Sequence, residues 1–153
     1  MEKTEAYKWA QKRIRAQVLR HQDRVAILAN SAAILKEYFA NFFWVGFYFV
    51  KKDHLLLGPF QGPPACVKLN REKGVCAAAV SRRQTLLVPD VHQFPGHVAC
   101  DARSRSEIVV PVFDRRGRLR AVLDVDSARL NDFDETDARG LEALSALLAE
   151  IWK

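Results

Sequence analysis

Two β-branched runs, Glu107 to Phe113 and Leu119 to Asp126, flank the polar turn Asp114-Arg115-Arg116-Gly117, and no other feature of the chain constrains its fold as tightly. Apolar alternation on both sides of a short turn predicts an antiparallel hairpin. If Arg115-Arg116 form the loop, Asp114 pairs with Gly117; if residues 114–117 form it, Phe113 pairs with Arg118. Either choice gives one register, with Glu107 opposite Asp124. Side chains alternate at period two, so Asp126 joins them on that face while Leu123 and Val125 point to the other. Three carboxylates then share one patch of sheet, an arrangement that an odd loop length would undo. Clustered like charges disfavour one another's ionisation and raise at least one pKa, the property required of a general acid near neutral pH.

The remaining elements follow from changes of period. Before Asn41 the chain reads as helix over about 5–38, with Asp23 as a cap and Val25, Leu28, Ala29, Ala32, Ala33, Leu35 and Phe39 at three- and four-residue steps. From Phe42 to Val50 the run is aromatic and β-branched, Lys51–His54 is a turn, and His54 to Pro59 starts a second strand. Residues 58–64, Gly-Pro-Phe-Gln-Gly-Pro-Pro, read as a loop because proline removes ladder donors. Gly74–Val80 reads as a short helix and Leu86–Val88 as a short strand. Pro89 to Ser106 has no clear period, and a loop of that length inside a compact domain is usually functional. The C-terminal helix, Thr136 to Trp152 after an Asp134 cap, closes an α+β domain on a mostly antiparallel sheet.

Composition narrows the class. The 153 residues, 49% hydrophobic and 27% charged, suit one domain with one sizeable core. The longest apolar run, Phe42–Val50, falls far short of the ~20 residues of a membrane helix. The start, Met1 to Glu5, leads into no signal-type apolar region, so the expectation is a soluble cytoplasmic protein. The net charge of +6 is concentrated in residues 1–24, where seven Lys/Arg meet three Asp/Glu around a helix. A solvated helix face explains that better than a nucleic-acid stripe, and neither nucleic acid nor membrane is expected as a partner.

Three cysteines without a secretory signal are expected to be reduced by default. No C-x-x-C occurs, and His92, His97 and Cys100 have no metal-motif spacing, so no metal is expected. Cys100 lies between His97 and the cations Arg103 and Arg105, which favour a thiolate, while Asp101 opposes it. Cys76, in the first turn of a short helix, is expected to feel the positive helix end, which lowers a thiol pKa. Cys66 shows no intrinsic activation, but loop placement lets Cys66 and Cys100 meet and part without tearing regular structure. Trp44 and Tyr48 share the face opposite Phe43, Phe47 and Phe49 and suit the wall of a pocket for a small apolar group.

Several strings, in order along Tyr7 to Trp152, resemble the free methionine-R-sulfoxide reductases, a GAF-domain family. They are Asn41-Phe-Phe-Trp-Val-Gly-Phe-Tyr48, Gly58-Pro-Phe-Gln-Gly62, Gly74-Val-Cys76, Asp90 to Asp101, Ser104 to Pro111 and Val122 to Ser127. Ala77 departs from the family's usual glycine. The resemblance implies a single GAF domain, a six-stranded antiparallel sheet flanked by N- and C-terminal helices, and a homodimer. It assigns Cys100 as nucleophile, Cys66 as resolving partner and Cys76 as an accessory or alternative resolver. Glu107, Asp124 and Asp126 become substrate-binding acids, with Trp44 and Tyr48 as aromatic pocket residues.

The implied reaction reduces free L-methionine-(R)-S-oxide to methionine. Cys100 attacks the sulfoxide sulfur, an acid of raised pKa protonates the departing oxygen, and Cys100 is left as a sulfenic acid. Cys66 condenses with it to a disulfide, which thioredoxin reduces with electrons from NADPH; no metal or organic cofactor is needed. The alternative on the same fold is a non-catalytic GAF small-molecule or redox sensor, though the three acids would repel a ligand phosphate.

Overall fold

The computed structural model describes residues 1–97 and 100–152; Val98 and Ala99 of the long loop, and Lys153, lie outside the described residues. Asp23 divides the N-terminal helical segment in two. Its side chain accepts from the Ala26 amide at 2.9 Å, capping α2 (Arg24–Tyr38), while α1 (Lys3–Arg20) ends at His21. The buried stripe of α1 is Ala6, Tyr7, Ala10 and Ile14, and that of α2 is Ile27, Leu28, Ser31, Ala32, Ile34 and Leu35. Val25, which spacing places on the apolar face, is exposed in the first turn of α2, ahead of that stripe.

Six strands follow: β1 (Trp44–Val50), β2 (His54–Gln61), β3 (Lys68–Asn70), β4 (Leu86–Val88), β5 (Ser106–Phe113) and β6 (Leu119–Ser127). They form one antiparallel sheet in the order β3-β2-β1-β6-β5-β4. Helix α3 (Val75–Arg82) lies between β3 and β4, and α4 (Glu135–Leu147) follows β6. The expected final helix does not run unbroken to Trp152, because a 3-10 turn takes over at Leu148–Ile151. Among the described residues no helix is long and apolar enough to cross a membrane.

Strand β2 corrects the expected loop at 58–64, since it continues to Gln61. Gly46 faces Phe60 and Tyr48 faces Leu57, so β2 carries one extra residue around Gly58-Pro59. A bulge is the place in a sheet where a missing proline donor costs least.

The β5–β6 hairpin corrects the expected register. Asp114 pairs with Arg118 through an amide-to-carbonyl bond of 2.9 Å, and Gly117, at φ +77°, donates to the Asp114 carbonyl at 3.0 Å. The loop is therefore the three residues Arg115–Gly117, an odd length. The buried Asp114 carboxylate holds it, accepting from the Arg116 and Arg118 amides and the Arg118 guanidinium at 2.8–3.0 Å. Phe113 faces Leu119 but Val112 faces Ala121, so Arg120 is a bulge. Odd loop and bulge together shift the register by two residues: Glu107 faces Asp126, and Asp124 faces Val109. The faces are preserved although the partners differ.

Helices α2 and α4, with α1 packed against both, cover one face of the sheet, burying Val45, Phe47, Ile108, Val110, Val112, Ala121, Leu123 and Val125. Tyr7 joins α1 to α4. Its ring lies where a Cβ on Gly140 would sit 2.4 Å away, and its hydroxyl donates to the buried Asp137 at 2.6 Å. Asp137 also completes a capping box with Asp134 at the start of α4. The second face carries α3 and the long loops.

Candidate active site

On that second face, alternation places Trp44, Gly46 and Tyr48 of β1, Glu107 and Val109 of β5, and Val122, Asp124 and Asp126 of β6 side by side. Gly46, opposite Asp124, has to be small, since a Cβ there would lie 2.3 Å from that of Phe60 and 2.7 Å from the Trp44 ring. A cavity of about 70 Å³ opens above this floor, lined by Glu107, Asp124 and Asp126, Trp44, Tyr48, the first turn of α3, the Pro63–Ala65 segment, and His97, Cys100, Asp101 and Ser104. At ~10–15 Å³ of such space per water it holds roughly five water positions, the scale of a small polar ligand.

The acids are crowded and largely out of water. Glu107 and Asp124 are each 6% exposed, and Asp126 is half-buried. Burial, then the charges of Asp124 and Asp126, push the Glu107 carboxyl well above the usual range. Asp126 is pushed up likewise, first by burial and then by Asp124. Burial also raises Asp124, but the neighbouring Glu107 carboxyl and Cys76 thiol favour its ionised form. Burial and mutual repulsion thus disfavour full ionisation of the three together, least strongly at Asp124. One Asp124 oxygen, Oδ1, is buried with no hydrogen-bond partner among the described residues.

Cys66 and Cys100 form a disulfide with Cα atoms 5.6 Å apart, joining the Pro-rich segment to the long loop at the cavity. This is the oxidised form of the pair that the resemblance assigns as nucleophile and resolving partner. Cys100 is exposed and Cys66 half-buried. The loop that holds Cys66 is hung from the aromatic floor: Tyr48 donates its hydroxyl to the Cys66 carbonyl at 2.8 Å, and Trp44 donates Nε1 to the Pro63 carbonyl at 3.1 Å. Gly62, at φ +134°, lets the chain pass over Trp44, where a Cβ would come within 2.8 Å of the ring. Trp44 and Tyr48 line the cavity and also position the Cys66 loop.

Two expected activating effects are absent. Cys76 sits in the first turn of α3 as read from sequence, but burial and then Asp124, Glu107 and Asp126 push its thiol well above the ordinary value, outweighing the helix end. His97 gains no cationic character from its surroundings, because burial and then the facing His92 push its pKa down. The His92 and His97 rings are 6.1 Å apart edge to face. Asp101 accepts two hydrogen bonds from the Arg103 guanidinium, at 3.0 and 2.8 Å, and Arg103 lies over the Phe43 ring at 4.8 Å. Those bonds hold the Asp101 carboxyl down at about 2.

Some contributors escape the sequence reading. Ser104, buried at the cavity wall, supports the ionised form of Asp126. Asp114 sets the hairpin geometry that delivers the acids, and its signal is present in the sequence, as an Asp three residues before a Gly.

The family model for the GAF domain matches residues 21–153. The chain is similar to the free methionine-R-sulfoxide reductase of Escherichia coli, at 42% identity over 99% of this chain and 91% of that protein. It is 51% identical to GAF domain-containing protein A of Dictyostelium discoideum over 82% of this chain and 79% of that one. Among solved structures, free methionine-R-sulfoxide reductase from Neisseria meningitidis in complex with its substrate superposes with a TM-score of 0.94 at 46% identity, covering 99% of this chain and 91% of that one. Matched by the family model over residues 21–153 and similar along nearly its whole length to these reductases, this chain belongs to the GAF-domain family and, within it, to the free methionine-R-sulfoxide reductases.

Proposed function

We propose that the protein reduces free L-methionine-(R)-S-oxide to L-methionine by thiol chemistry at Cys100. The observation that carries this reading is the Cys66–Cys100 disulfide on the rim of a cavity floored by proton-holding acids. In the reduced enzyme the Cys100 thiolate attacks the sulfoxide sulfur. Glu107 or Asp126, whose carboxyls retain a proton, delivers it to the oxygen. Methionine departs and Cys100 is oxidised to the sulfenic acid. The Cys66 thiol then condenses with it, releasing water and giving the disulfide, so two thiols supply the two electrons that the sulfoxide gains. A dithiol of the thioredoxin type, reduced through NADPH, restores both thiols by exchange, and no metal or organic cofactor takes part. Cys76 serves as the accessory thiol; its burial suits it to act only when the loops above α3 move.

A zwitterion fits the charge layout. The unpartnered Asp124 oxygen suits an ammonium, and the uncapped first turn of α3, which also lines the cavity, offers N–H groups to a carboxylate. Trp44 and Tyr48 supply an apolar wall for the methyl group. An N-acylated or peptide-bound substrate lacks the ammonium and leaves the Asp124 charge unpaired. The protein acts in the cytoplasm as a homodimer. The test is NADPH oxidation with thioredoxin and thioredoxin reductase, comparing free R and S epimers, an N-acetylated substrate and Cys100→Ser. Turnover confined to the free R epimer and abolished in the variant is expected; a folded, reduced protein inert toward every epimer would point instead to a GAF sensor.

A further inference from the structure

We propose that Cys76, Glu107 and Asp124 form a binding site for a divalent cation of borderline softness, Zn²⁺ or a chemically similar ion, whose occupation closes the cavity to an ammonium-bearing ligand. The second half of the proposal rests on the reductase reading above; the first does not.

Three donor atoms, the Cys76 sulfur and one carboxylate oxygen each from Glu107 and Asp124, all lie within 4.8 Å of one another, and all three residues are buried. The independent sign that this group is built for a positive partner is Asp124 Oδ1, an acceptor on a side chain only 6% exposed, without a hydrogen bond among the described residues. A buried carboxylate oxygen left unmatched costs folding free energy, and a bound cation removes that cost.

The donor set selects the ion. Calcium takes six to eight oxygens and magnesium a near-octahedral oxygen shell, neither of which one thiol and two carboxylates supply. One sulfur with two or three oxygens suits a four-coordinate ion with bonds of ~2.3 Å to sulfur and ~2.0 Å to oxygen. Asp126, directly across the strand pair from Glu107, or a water, provides the fourth ligand. Binding replaces protons on Cys76 and the carboxyls by the metal, with no change of oxidation state, and lessens the repulsion among the acids. With Asp124 bound to the ion, its carboxylate no longer receives an ammonium.

The oxidised protein gives a clean test. With Cys66 and Cys100 joined, Cys76 is the remaining thiol, so any thiolate ligation has to come from it. Chelator-treated oxidised protein titrated with Co²⁺ is expected to develop a thiolate-to-cobalt charge-transfer band saturating at one ion per chain and displaced by Zn²⁺. Cys76→Ser and Cys76→Ala are both expected to abolish the band, and Asp124→Asn to weaken affinity about tenfold or more. Absence of the band in the parent protein, or its survival in either Cys76 variant, overturns the cation site. Calorimetry on the same oxidised protein reads the second half. The apparent Kd for free methionine sulfoxide should rise about tenfold when Zn²⁺ is held at about ten times its own Kd, and an unchanged value refutes blockade. A cobalt band in a protein without sulfoxide turnover leaves the cation site standing and removes the reductase reading; turnover without a band does the reverse.

Discussion

Leu123 and Asp124 are neighbours on β6, yet they belong to two surfaces with opposite physics. On the helix side, Leu123 is fully buried with Phe47, Val110 and Leu141 in a continuous apolar layer. One residue along, Asp124 looks into a cavity with Glu107, Asp126, the Cys76 thiol, Trp44 and Tyr48. The first surface lowers the free energy of the fold; the second raises it by holding carboxyls where water cannot solvate them. A period-two strand carries both at once, so the sheet stabilises the fold with one face while keeping strained chemistry on the other.

The contrast can be broken most severely from the helix side. Leu123→Ala should destabilise the protein by about 2–5 kcal/mol, read by denaturant unfolding, because the close-packed layer relaxes only partly around the lost volume. Asp124→Asn should do the opposite at neutral pH: sulfoxide reduction falls on the order of 100-fold while the unfolding midpoint holds or rises. A matching loss of stability in Asp124→Asn would erase the distinction between the faces.

A pH series sharpens the same comparison at smaller amplitude. Glu107 and Asp126 retain protons in the folded protein at pH values where the unfolded chain, with ordinary values of 4.5 and 3.8, has lost them. The folded state then binds more protons, so their contribution to stability is fully present below those ordinary values. It declines as pH rises toward the raised folded values, by up to about 1.4 kcal/mol per pH unit per proton. Glu107→Gln should flatten that decline, and a slope identical to the parent's would show that Glu107 is not held protonated. The smallest effect belongs to the periphery of the apolar side, where Asp134→Ala removes the cap of α4. About 1 kcal/mol of stability should be lost with turnover unchanged.

The amount of this that is legible in the sequence differs between the same two surfaces. Alternation alone puts Glu107, Asp124 and Asp126 on one face and Leu123 with Val125 on the other, and the structure agrees. The register is not legible from alternation, because Gly117 at positive φ makes a three-residue loop and Arg120 adds a bulge. β3 is three residues at a sheet edge, too short for a periodic signal, and β2 runs through Pro59 because a bulge accepts it. The direction of the Cys76 shift also escapes, since spacing shows the helix end but not the acids brought from β5 and β6. GAF membership and the count of six strands are legible in multi-residue strings rather than in periodicity.

Arg120 gives the hairpin an arithmetic of its own. With a loop of odd length, one unpaired residue in β6 is what returns the two aspartates to the side of the cavity, so loop and bulge act together as a parity check. Removing Arg120 alone would turn Asp124 and Asp126 toward the helices and Leu123 and Val125 toward solvent loops, an inversion no side-chain repacking can absorb. Length changes in this hairpin that keep a working site have to come in even steps or in compensating pairs. A lineage can lengthen or shorten the turn freely only if it counts by twos.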